Sequence, residues 1–113
     1  MKNGINKVTI VGHVGDDPTM KVTQDKSNVT KFRVATNEIF KDREGKEIKK
    51  TEWHSIVAWD KRAELLNEYV KKGDPLYIEG KLRTTSWEDK EGVKRYFTEV
   101  QCENFVFLSS PKN

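Results

Sequence analysis

Apolar and polar residues alternate at period two through most of this 113-residue chain, and helical spacing appears once. Ile5–Val14 is rich in β-branched residues and reads as a first strand, with Gly12 suggesting a bulge or bend. Gly15-Asp16-Asp17-Pro18 ends it, and a short extended piece at Met20–Thr23 precedes the polar turn Gln24–Asn28. Val29–Asn37 is the second clear strand. Phe32, Val34 and Thr36 fall on one side of it and Lys31, Arg33 and Ala35 on the other, which fits one buried and one wet face. Glu38–Lys50 is a charged loop or a long hairpin centred on Glu44-Gly45. In the third strand, Thr51–Trp59, the odd positions Trp53, Val57 and Trp59 share one face and the even positions His54, Ile56 and Ala58 the other. Both faces are apolar, as expected of a strand with core on one side and a contact surface on the other.

Asp60 reads as the N-cap of a helix over Lys61–Lys72. Ala63, Leu66 and Val70, with Leu65 and Tyr69 beside them, make its apolar stripe. Gly73 is placed as a left-handed C-cap, and Pro75 blocks continuation. Leu76–Trp87 follows as a fourth strand, with Leu76, Ile78 and Leu82 inward and Tyr77, Arg83 and Trp87 outward; Gly80 is where it could bend. After a turn at Glu88–Gly92, Lys94–Leu108 is the fifth. Three strands, one helix and two strands predict an all-β fold, a small closed barrel with the helix plugging one end.

Composition agrees with a thin core and a charged exterior. Apolar and charged residues each make up 35%, against usual shares of about 45–50% and about 25%. The length suits one domain, expected over 1–108, with a short polar end at 109–113. The net charge of +3 is compatible with a nucleic-acid partner without demanding one, so the placement of charge must decide. Cys102 is the single cysteine, which excludes an intramolecular disulfide and favours a reducing compartment; its apolar strand predicts a buried thiol. No apolar stretch approaches 18 residues, so no membrane span is expected.

An enzyme needs a constellation, and the sequence offers none. His13 and His54 are the only histidines and lack cysteine neighbours, so no metal site is expected. There is no phosphate loop or nucleophile elbow, and no cofactor is called for. Binding has more support. Trp53, Trp59 and Trp87 on strands, with Phe40 at the root of the charged loop, are interleaved with Lys49, Lys50, Lys61, Arg62, Arg83, Lys94 and Arg95. A ring face accepts any base, at about 1–3 kcal/mol per stacked base, and cations track the phosphates. The helix is a poor duplex reader because its stripe is needed for the core.

The segments Gly4–Pro18 (GINKVTIVGHVGDDP), Thr51–His54 (TEWH) and Lys72–Thr84 (KGDPLYIEGKLRT), together with Trp87, closely resemble the bacterial and mitochondrial single-stranded-DNA-binding proteins, from about Gly4 to Phe107. The resemblance implies an OB-fold, a five-stranded Greek-key barrel with one helix between strands three and four, assembled as a homotetramer. It implies binding of single-stranded DNA without sequence preference in replication, recombination and repair, in the cytoplasm with the nucleoid. Phe40, Trp53, Trp59 and Trp87 match the family's stacking aromatics; Lys7, Lys61, Lys72 and Arg83 match residues on the phosphate path, to which charge adds Lys49, Arg62 and Arg95. His54 matches a histidine at a subunit contact, and a satisfied inward imidazole is its other reading. Relatives commonly continue into a flexible linker with an acidic tip that recruits replication and repair enzymes. This sequence stops at Pro111-Lys112-Asn113 without one, as a trimmed core or a tail-less relative would, which leaves tail-mediated recruitment open. The other reading is an OB-fold primosomal or protein-interaction accessory module that binds single strands weakly.

Overall fold

The period-two segments become the strands of a closed ring. The computed structural model describes residues 3–108; the polar end at 109–113 lies outside them. The strands are β1 (Val8–Val14), β2 (Thr19–Val22), β3 (Asn28–Lys41), β4 (Glu47–Trp59), β5 (Pro75–Glu88) and β6 (Lys94–Phe107), with α1 (Asp60–Tyr69) between β4 and β5. Antiparallel ladders join β1 to β5, β5 to β6, β3 to β4 and β1 to β3. A short parallel pairing of Ile56 and Val57 with Val100 and Gln101 completes the circuit β1–β3–β4–β6–β5–β1. Among the described residues β2 pairs only with β3, so five strands close the barrel and the helix lies between the third and fourth of them.

The inward faces supply Ile10, Val14, Phe32, Val34, Ile56, Ala58, Leu76, Ile78, Val100 and Cys102 to one core. The expected stripe of α1 seats Ala63 and Leu66 across the barrel end, with Val70 following. Buried Thr30 is satisfied: its hydroxyl donates to the Ala63 carbonyl at 2.8 Å. Cys102 is buried as predicted, and burial pushes its thiol up to about 11.

Several boundaries move, each for a physical reason. β1 starts at Val8 because Asn6 substitutes a side chain for the ladder: its amide donates to the Leu82 carbonyl and accepts the Leu82 N–H, at 2.8 and 2.9 Å. Gly12 makes no bulge. It pairs regularly with Leu76, and a β-carbon there would strike the Ala35 carbonyl where β1 crosses β3. The irregularity sits at Glu79/Gly80, at the expected bend. Asp60 is not an N-cap; Trp59 holds that position, and no side chain caps the helix. Because β4 runs into α1 without a linker, the chain turns at Asp60 itself, in the left-handed region (φ 56°) that Asp tolerates better than most residues. The helix also ends early. Val70 is extended at the C-cap, so Gly73 (φ 94°) caps nothing and instead donates its N–H to the Val14 carbonyl at 2.7 Å.

Beyond the barrel, β3–β4 and β5–β6 continue as two long ribbons, and the charged segment of the first proves to be a hairpin. Their tips are built alike, from D-R-E-G-K (Asp42–Lys46) and D-K-E-G-V (Asp89–Val93). In each, the aspartate carboxylate accepts two backbone N–H groups at 2.9 Å and a glycine takes positive φ (Gly45 81°, Gly92 80°). The radius of gyration, 16.7 Å, exceeds the roughly 13 Å of a spherical domain of this length because of these projections.

Candidate nucleic-acid interface

Register decides which aromatics share a surface. In β3–β4, odd residues pair with odd, and the even set (Phe32, Val34, Ile56, Ala58) is the core face. Trp53, Ser55 and Trp59 therefore point outward with Arg33 and Lys31; Val57 has the same parity but is buried. The pairing of Val57 with Gln101 carries that outer face onto β6, and Gln101 with Lys81 carries it onto β5, where Arg83, Thr85 and Trp87 lie. Trp53, Trp59 and Trp87 thus occupy one continuous outer surface across three neighbouring strands, 48%, 38% and 49% exposed. The expectation that Trp53 and Trp59 share a face and that Trp87 points outward holds.

Trp53 is held in place. A β-carbon on Gly15 would run into Cζ3 of its ring while standing 3.1 Å from both Cε3 and Cη2, so Gly15 meets the ring at its edge and leaves the faces free. Over the ring stands Arg33, its Cζ 4.8 Å from the centroid. Arg33 is fixed in turn by Asp16, through Nε to Oδ2 at 2.8 Å and Nη2 to Oδ1 at 2.9 Å. This bidentate pair holds the Asp16 carboxyl below the usual carboxylate range.

The remaining candidates divide. Lys49 shares the outer parity of Trp53, and Lys61 follows Trp59 at the start of α1; both are exposed. Lys72 lies on the loop after α1, its backbone N–H bonded to Asp17 Oδ1 at 2.9 Å. Arg83 donates to Gln101 Oε1 at 2.9 Å on the outer face, Arg62 to the Glu103 carbonyl at 2.7 Å, and Arg95 pairs with Asp89 at 3.0 Å. Lys7 is elsewhere. It pairs with Glu79 at 3.6 Å beside β1, eight residues along β5 from Trp87, about 26 Å at 3.3 Å per residue. Phe40 is exposed but even, so it leaves the β3–β4 ribbon on the side opposite Trp53. His54 is on the inward face and half-buried, its Nε2 2.9 Å from the Thr36 hydroxyl.

Two residues on the outer face were not singled out from sequence. Arg33 was placed on the wet side of its strand, yet its position over Trp53 depends on the pairing of Ala35 with Trp53, which the Asp42–Lys46 turn sets. Phe97, 41% exposed, faces outward on β6 opposite Thr85. The available signal was the adjacent pair Tyr96-Phe97: on a strand, one of two neighbours must point away from the core. Among the described residues no group of three or more His, Cys, Asp or Glu side chains is placed to hold a metal, and no helix is long and apolar enough to cross a membrane.

Comparison with known proteins places this geometry. The solved complex titled "Plasmodium falciparum SSB complex with ssDNA" superposes with a TM-score of 0.87 at 31% identity, covering 96% of this chain and 99% of that one. The barrel is an OB-fold. Single-stranded DNA-binding protein 1 of Chlorobaculum tepidum is 46% identical over 111 residues, 97% of this chain and 68% of that protein. The single-stranded DNA-binding protein of Rhizobium meliloti is 43% identical (93% and 62%), and that of Xanthomonas campestris 42% identical (96% and 63%). The chain thus spans roughly two thirds of the length of these relatives. The profile of the single-strand binding protein family matches residues 5–108, and the chain belongs to that family.

Proposed function

We propose that this chain binds single-stranded DNA without sequence preference, as a homotetramer in the cytoplasm, protecting single strands during replication, recombination and repair without turning them over. The observation that carries the reading is the outer surface shared by Trp53, Trp59 and Trp87. Tryptophan is highly buried on average, and three half-exposed rings on one face indicate a partner. Bases stack on these rings; Lys49, Lys61, Arg62, Lys72, Arg83 and Arg95 contact phosphates. Phe40 is a fourth stacking ring, and a strand that reaches it from Trp53 must pass over the edge of the β3–β4 ribbon, which fits wrapping. Lys7 is assigned instead to assembly. Val11, Tyr77 and Val106 are consecutive partners across β1, β5 and β6, with Val11 and Val106 exposed; Lys7, Glu79 and Tyr77 form a polar margin beside them. Among the described residues Val8–Val11 of β1 pairs only with β5, which leaves its other edge for a second copy. His54 is a further candidate for a subunit contact.

Titration with oligo-dT tests the reading: strong quenching of tryptophan fluorescence is expected, with salt weakening binding less steeply than for a purely ionic contact because stacking carries part of the energy. Lys61→Ala is expected to lower the salt slope by about one unit at most. Absence of quenching at low salt overturns the proposal. A dimer by light scattering with weak binding would favour the accessory-module reading.

A further inference from the structure

We propose that a groove beside Phe97 is an additional nucleotide subsite of this chain, in which a base stacks on Phe97 and its phosphate takes the Arg33 guanidinium from Asp16. The inference rests on the single-stranded-DNA reading above and adds a fifth ring to it. The groove lies between the β1–β2 loop and the β4–β6 seam. It is lined by Asp16, Lys31, Arg33, Ser55, Phe97 and Glu99 among others and has room for about 300 Å³, at the small end of ligand-sized clefts.

Three features point to a nucleotide. The first is the ring. Phe97 keeps 41% of its surface exposed and joins none of the aromatic pairs recorded among the described residues, so its face is available. The second is position. Phe97 stands on the same outer face as the tryptophans, opposite Thr85 and two β5 residues from the level of Trp87, and on the other side the groove reaches Arg33, which lies over Trp53. A chain passing from Trp53 to Trp87 crosses it. The third is charge. Both cations of the groove are already holding oxyanions: Arg33 grips Asp16 in bidentate fashion, and Lys31 pairs with Glu99 at 3.9 Å. A phosphodiester offers a guanidinium the same two-oxygen geometry as a carboxylate, and the Arg33–Asp16 pair, with both side chains partly open to solvent, is placed for such an exchange. Loss of the Asp16 contact would also free Arg33 to follow the phosphate while Gly15 still holds the edge of Trp53.

The test uses the full chain and an oligo-dT long enough to span the face, read by tryptophan quenching, which Phe97 substitutions leave in place. Phe97→Ala is expected to weaken binding about 5- to 150-fold, the range of one lost stacking platform. Phe97→Tyr, which keeps a ring, is expected to restore most of the affinity, and Arg33→Ala to lower the salt slope by about one unit. Phe97→Leu keeps the bulk without the stacking face and serves if the alanine variant folds poorly; it should resemble alanine. If the wild type binds and Phe97→Ala or Phe97→Leu matches it, the subsite is wrong and the function stands. A changed oligomer mass with unchanged affinity for DNA would make Phe97 an assembly residue and also overturn the subsite. If the wild type itself does not bind, the functional reading falls and the subsite with it.

Discussion

β5 behaves as two different strands joined near Lys81. From Pro75 to Gly80 it alternates half-buried with buried residues; from Leu82 to Glu88 every position is exposed. β3 divides in the same way, buried at Val29, Thr30, Phe32 and Val34 and exposed from Asn37 to Lys41, and β4 mirrors it. The residue types differ little between the halves. What differs is whether a second layer lies above them. Inside the ring, apolar side chains fill a core; on the ribbons the same kinds of side chain stay wet and available to a partner. Strand parity tells which face a residue takes, and closure of the barrel tells whether that face is covered.

The largest effect is expected where the cover is most complete. Leu66 is fully buried where α1 closes the barrel, and Leu66→Ala should cost about 2–5 kcal/mol in denaturant unfolding while the folded fraction still binds oligo-dT. A cost below about 1 kcal/mol would mean that the helix is not seated in the core, and the barrel half would lose its distinction. On the contact surface the expectation reverses. Trp53→Ala should reduce affinity for single-stranded DNA by about 1–3 kcal/mol and leave the fold and assembly intact, as followed by fluorescence titration, circular dichroism and mass. Unfolding of that variant would make Trp53 a core residue despite its exposure, and the two regions would no longer be separable.

Much of this was legible from period and punctuation. The parity of Trp53 and Trp59, the wet side of Val29–Asn37 and the stripe Ala63–Leu66–Val70 follow from local spacing, which is why they survive folding. Both ribbon tips are marked by an Asp three residues before a Gly, a pattern with a local hydrogen-bonding cause. What was not legible depends on partners distant in sequence. Asp60 has the composition of an N-cap, but the abrupt passage from β4 into α1 demands a left-handed residue there. Lys7 was assigned to phosphates by resemblance; only the β1–β5 register brings it to Glu79. Phe40 was grouped with the tryptophans, yet continuous pairing along β3–β4 sends it to the opposite face. Arg33 reaches Trp53 and Asp16 only once the hairpin and the β1–β2 loop have closed around it.

Leu82 gives the smallest effect and the sharpest division between the two halves. It has the inward parity of Leu76 and Ile78 and pairs with buried Val100, so alternation placed it in the core. It is nevertheless 50% exposed, because here β5 is leaving the ring, beside the Val100 pairing that closes it, and its inner face is only partly covered. Leu82→Ser should therefore cost only about 1 kcal/mol, from the half of the side chain that is covered, as read from the denaturation midpoint at low protein concentration. A cost of about 2–5 kcal/mol, the range expected at Leu66, would mean that Leu82 is covered after all. Dilution then separates the two ways that could happen. A cost that persists on dilution places the cover within one chain and extends the barrel past Lys81. A cost that fades as the assembly dissociates places it on a second copy, with the inner face of the β5–β6 ribbon as a subunit contact and the outer face, with Trp87 and Phe97, left for DNA.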